Sequence, residues 1–66
     1  MKLEEEVILG ERLLTISATP EEMQQHIEGR KLRLDWILLP APDLVSDRYS
    51  EGVWIFNLTQ GRWLKP

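Results

Sequence analysis

The sequence predicts a small α+β domain: an antiparallel β-sheet, in the order β-β-α-β-β-β, with one short helix packed on one face. Three stretches carry that expectation. Val53-Trp54-Ile55-Phe56-Asn57-Leu58, then Thr59-Gln60-Gly61, then Arg62-Trp63-Leu64 read as an aromatic β-hairpin around a glycine turn. Thr19-Pro20-Glu21-Glu22 reads as the start of a helix. Lys31 to Leu39 alternates with period two, as a half-buried strand does.

In chain order, Glu6 to Ser17 is rich in β-branched and aliphatic residues. Gly10-Glu11 is expected to form a two-residue turn of type II′, with glycine at the first central position. A glycine bulge in one longer strand is the alternative, and a helix is disfavoured by Gly10. Next, Thr19 is the expected N-cap, Pro20 takes the first helical position, and Glu22 completes a capping box. Both glutamates suit the positive end of the helix dipole. The helix is expected over about residues 20–28, stopping at Gly29. Its apolar stripe is only Met23 and Ile27, so it must dock to be stable.

Leu32, Leu34, Trp36 and Leu38 are expected on the core face of the 31–39 strand, with Lys31, Arg33 and Asp35 outside. Pro40-Ala41-Pro42-Asp43 ends it. Leu44 to Gly52 is a polar connection, with a helical turn weighed at 43–48. In the last hairpin, register decides where the tryptophans point. A three-residue Thr59-Gln60-Gly61 loop is preferred, because it gathers Trp54, Phe56, Leu58 and Leu64 on one face. Val53, Ile55 and Trp63 then form an apolar strip on the other. A two-residue Gln60-Gly61 turn would instead send Trp63 to the core beside Phe56.

At 66 residues the chain is expected to be a single domain, 1–66, and a marginal one. It has no cysteine, so disulfides are excluded, and one histidine without thiolates cannot supply a zinc site. Packing by large aromatics, or self-association, is left to stabilise it. Glu4-Glu5-Glu6 sit where a signal peptide would turn apolar, and no apolar run approaches the ~20 residues of a membrane span. A soluble, cytoplasmic protein is therefore expected. The Asn57-Leu58-Thr59 triplet is then a chance match to a glycosylation acceptor.

Charge is uneven. Residues 1–28 carry a net of −5 and residues 29–66 a net of +2, giving the formal −3. That total argues against general nucleic-acid binding, which rests on a basic surface.

No motif commits the chain to a reaction. His26 has no recognisable nucleophile or orienting acid, so a polar helix edge explains it better than catalysis. Arg30, Lys31 and Arg33 form the one basic cluster, suited to an acidic partner or phosphate but also to a solvated strand face. Asp43, Asp47, Arg48, Tyr49 and Glu51 crowd the long loop without the spacing of a calcium site. Trp36, Trp54, Phe56 and Trp63 would need a basic groove to stack bases, and core packing accounts for them better.

Gly52 to Thr59, followed by Trp63 and Pro66, resembles the second half of a WW domain over about fifteen residues. The resemblance implies binding of proline-rich ligands through Phe56 and Trp63. The chain departs from that family in a shorter Asn57-to-Trp63 spacing and in lacking its leading tryptophan–proline segment. Convergent hairpin composition explains the likeness.

The function expected is therefore a non-enzymatic protein–protein interaction module: an accessory subunit, adaptor or inhibitor of a larger protein, or a homodimer. Val53, Ile55, Trp63, Arg62, Arg48 and Tyr49 are the expected contact residues, with no metal and no cofactor. The alternative is a weak single-stranded nucleic-acid binder using Trp54 or Trp63 with Arg62, Lys65 and Arg30.

Overall fold

A four-stranded antiparallel sheet carries one face of the core. The computed structural model describes residues 1–44 and 52–64, and its element order begins with β1 (Lys2–Ile8), β2 (Glu11–Ser17) and α1 (Pro20–Gln25). Next come β3 (Ile27–Glu28), β4 (Lys31–Arg33) and β5 (Leu38–Pro40), and last β6 (Val53–Asn57) and β7 (Arg62–Trp63). Sheet A has the order β1-β2-β6-β7, and sheet B the order β3-β4-β5, all pairs antiparallel. The fold is α+β with one short helix, as the sequence predicts, although two sheets replace the single sheet expected.

Local chemistry accounts for most element ends. Thr19 caps α1: its hydroxyl accepts from the Glu22 N–H at 3.1 Å, and the Glu22 carboxylate accepts from the Thr19 N–H at 3.2 Å. The helix stops at Gln25, not near residue 28, because His26 closes the last turn and Ile27–Glu28 pairs with Leu32 and Lys31. Gly29 does take positive φ, but in the β3–β4 turn. A six-residue helix has only one buried side chain, Met23, to anchor it.

Two further boundaries differ from expectation. The β1–β2 turn is Leu9-Gly10, one residue earlier than predicted, since Ile8 pairs with Glu11. Both turn residues have positive φ, 51° and 79°, as type I′ requires. The alternating 31–39 segment is two strands joined by a turn, with Arg33 opposite Leu38 and the Leu34 N–H bonded to the Ile37 carbonyl at 2.9 Å. The four-residue turn inverts the period-two parity, so Leu39 takes the core position expected of Leu38, which is exposed. Trp36 sits in that turn and is 57% exposed instead of joining the core face.

The core is one cluster shared by both sheets and α1. Leu14, Ile16, Trp54 and Phe56 come from sheet A; Met23, Leu32, Leu34 and Leu39 come from α1, sheet B and its turn. Trp54 is enclosed and its indole N–H donates to the Ala18 carbonyl at 3.1 Å, so burial leaves no orphaned donor. Fully burying a side chain of this kind contributes about 1.5–3 kcal/mol each. These large residues offset the small size of the domain.

Candidate functional site: the outer face of the four-stranded sheet

The last hairpin closes through a four-residue loop, Leu58 to Gly61, with Phe56 opposite Trp63 and Asn57 opposite Arg62. Neither loop length weighed from sequence is the one adopted. Asn57 explains the difference. Its side-chain carbonyl accepts from the Gln60 N–H at 2.9 Å, and its backbone carbonyl accepts from Gly61 at 2.7 Å. The Asn57 amide donates to the Glu11 carboxylate at 3.1 Å, so both polar atoms of this buried side chain have a partner. Thr59 ties the loop back to β2 by accepting from the Arg12 N–H at 2.9 Å. An asparagine that bonds its own turn makes the wider loop favourable.

That register turns Trp63 away from the strip expected to contain it. The indole meets the Phe56 ring edge-on, with centroids 5.0 Å apart, and donates to the Pro40 carbonyl at 2.8 Å. It is half-buried against the core and ties sheet A to the edge of sheet B. Leu64 moves the opposite way: its N–H bonds the Ile55 carbonyl, placing it beside Ile55 in the ladder.

The outer face nonetheless carries an apolar band. Val53 and Ile55 lie on it, as expected, and Arg62 shares it through its pairing with Asn57. The register adds two residues that sequence reading missed, Leu13 on β2 and Ile8 on β1. Ile8 is diagonal to Leu13, and Leu13 is diagonal to Ile55. Diagonal neighbours stand about 7–8 Å apart, within reach of aliphatic side chains. The band thus crosses the sheet as Ile8, Leu13, Ile55 and Val53. The signal for Leu13 was in the sequence, because adjacent Leu13-Leu14 must place one leucine on each face of β2.

Polar groups frame the band. Lys2, Glu4 and Glu6 alternate along β1 on the same face, and Lys2 and Glu4 pair at 3.1 Å. Arg62 lies at the other edge with its guanidinium donating to the Gln60 side chain at 2.8 Å. The described part of the 40–50 connection follows the core side, where Pro42 is buried and Leu44 packs on the cluster. Arg48 and Tyr49, expected as contacts, lie outside the described residues, as do Asp47, Glu51 and Lys65.

The remaining candidates are not assembled into a chemical site. His26, Asp35, Leu3, Leu34 and Met1 line an open cleft, but no hydrogen bond among the described residues orients the imidazole. Among the described residues no cluster of three potential metal ligands occurs, and no helix is long and apolar enough to cross a membrane. Trp54 is 1% exposed and has no face to offer a base. Phe56 is equally enclosed, so the pair that a WW-like groove would use is spent on packing. Arg30, Lys31 and Arg33 are exposed on sheet B, with Arg33 3.7 Å from Glu28. Comparison with protein-family models, curated proteins and solved structures finds no match.

Proposed function

We propose that the chain is a non-enzymatic protein-binding module whose contact surface is the outer face of sheet A. One observation carries the reading: the band of Ile8, Leu13, Ile55 and Val53 crosses the face opposite the core, where folding does not require it. Apolar patches on soluble proteins frequently mark interaction sites. Arg62 beside the band, and the glutamates of β1 across it, supply the polar rim that such surfaces carry. Trp63, packed on Phe56 and bonded to the Pro40 carbonyl, belongs to the scaffold in this reading and not to the contact.

A photo-cross-linking residue at position 55, expressed in cells of the source organism, tests the proposal. The expected result is a discrete adduct with one protein species, absent when the probe is moved to core position 16. A second copy as partner would appear as an adduct of twice the chain mass. No discrete adduct from position 55 contradicts the reading.

A further inference from the structure

The tip of the β1–β2 hairpin is chemically out of place. Leu9 is 98% exposed and has φ of +51°, a region that L-residues other than asparagine, aspartate and glycine seldom occupy. Its neighbours Val7 and Ile8 are 66% and 45% exposed. Asparagine would satisfy both the turn and the solvent, since Asn-Gly is the preferred type I′ pair. Folding therefore gains nothing from leucine here. Behind the tip, β1 presents Glu4-Glu5-Glu6, and Glu6 makes no ion pair among the described residues.

The complementary surface stands on sheet B. Trp36 and Leu38 are each 57% exposed, with Leu38 directly opposite Arg33 and the exposed Lys31 on the same face of β4. Lys31 makes no ion pair among the described residues. One end of the chain offers aliphatic side chains beside acids; another offers an indole and a leucine beside cations.

We infer that the chain self-associates head to tail, the Val7–Leu9 tip of one copy docking on the Trp36 and Leu38 face of the next. Glu5 is held by Arg12 at 2.8 Å and Arg33 lies 3.7 Å from Glu28, so Glu6 and Lys31 are the pair that approach, charge fixing the orientation while apolar contact supplies attraction. The contact is heterologous, joining two different surfaces, and needs no symmetric pairing of the like-charged β1 edges. A hairpin tip buries less than the ~1,200 Å² of stable complexes, so association sets in at roughly 100 µM or above. The contact shares Ile8 and Glu6 with the outer face proposed above, but Leu9 and Trp36, the positions varied below, lie off that band, so the two readings can fail separately.

Sedimentation equilibrium of the full chain, with Leu9→Asn and Trp36→Ala, decides the matter. Wild type should gain mass with concentration and keep most of that gain in about 0.5 M salt, which screens the charges but not the apolar contact. Each variant alone should stay monomeric while keeping its circular dichroism and melting transition, with Leu9→Asn melting several degrees higher. Mixed in equal amounts, the two should form a 1:1 dimer and nothing larger, because one keeps the tip and the other keeps the face. Wild type that stays monomeric overturns the proposal and leaves the tip to a different protein. So does wild-type assembly that neither variant weakens, or a mixture that fails to associate. If Trp36→Ala does not fold, Lys31→Glu with Arg33→Glu takes its place with the same expected outcomes.

Discussion

Trp63 shows how much a single side chain decides. Read from sequence it belongs to a contact strip; in the fold it meets the Phe56 ring edge-on and donates to the Pro40 carbonyl. Trp63→Ala should therefore cost stability, about 2 kcal/mol for a half-buried aromatic, seen as a melting point roughly 10 °C lower. Trp63→Phe keeps the ring contact and should lose only about 1 kcal/mol, the worth of its hydrogen bond. A Trp63→Ala protein that melts like wild type would return the indole to the binding surface. Leu9 presents the inverse case. Leu9→Asn should raise stability by about 1 kcal/mol in chemical denaturation, because the left-handed backbone suits asparagine better. Gly52 is less forgiving. A Cβ built there lies 2.8 Å from the Ala18 carbonyl oxygen, at φ of +72°. Gly52→Ala should cost about 2 kcal/mol or more, by denaturant midpoint, through clash and backbone strain together.

Among elements, legibility followed the range of the interactions. The start of α1 was readable because Thr19, Pro20 and Glu22 act within four residues of one another. Its end was not, since β pairing with residues downstream claimed Ile27 and Glu28. The 31–39 segment shows the limit of periodicity: reading it as one strand put Trp36 and Leu38 in the core, but the turn takes Trp36 out and inverts the parity, so Leu39 is buried instead. Hairpin register failed for a different reason. The loop length depends on Asn57 bonding Gln60 and Glu11, and Glu11 is distant in the chain. Val53, Ile55 and Arg62 share one face; Leu13 had a signal in the adjacent Leu13-Leu14 pair, while Ile8 joined the band only through the ladder of sheet A.

The first turn of α1 also makes an acid-sensitive joint. Glu22 accepts from the Met1 ammonium at 3.0 Å and from the Thr19 N–H, which together lower its pKa from the ordinary 4.5. A carboxylate with a depressed folded pKa adds stability above its unfolded pKa and loses it as pH falls through the folded value. The contribution is thus intact at neutral pH and fades below about pH 4.5. Glu22→Gln should flatten the acid limb of a stability-against-pH curve measured by denaturant midpoint. An unchanged acid limb would show that Glu22 carries no proton-linked stability.

At the scale of the molecule, a small chain places apolar residues on both faces of one sheet. Leu14, Ile16, Trp54 and Phe56 close a core with sheet B and α1, and the opposite face of the same strands keeps Leu13, Ile55 and Val53. Such a division is costly for a domain with so little interior, and that cost is the argument for a partner. The most direct test pairs two readouts on one variant, Val53→Lys with Ile55→Lys. If the outer face binds, yield of the position-specific adduct, probed from Leu13, should fall about tenfold or more, as loss of a central contact does. The melting point of the isolated protein should move by only a few degrees. Unaltered adduct yield, or a protein that no longer folds, would place these side chains in the scaffold and contradict the account.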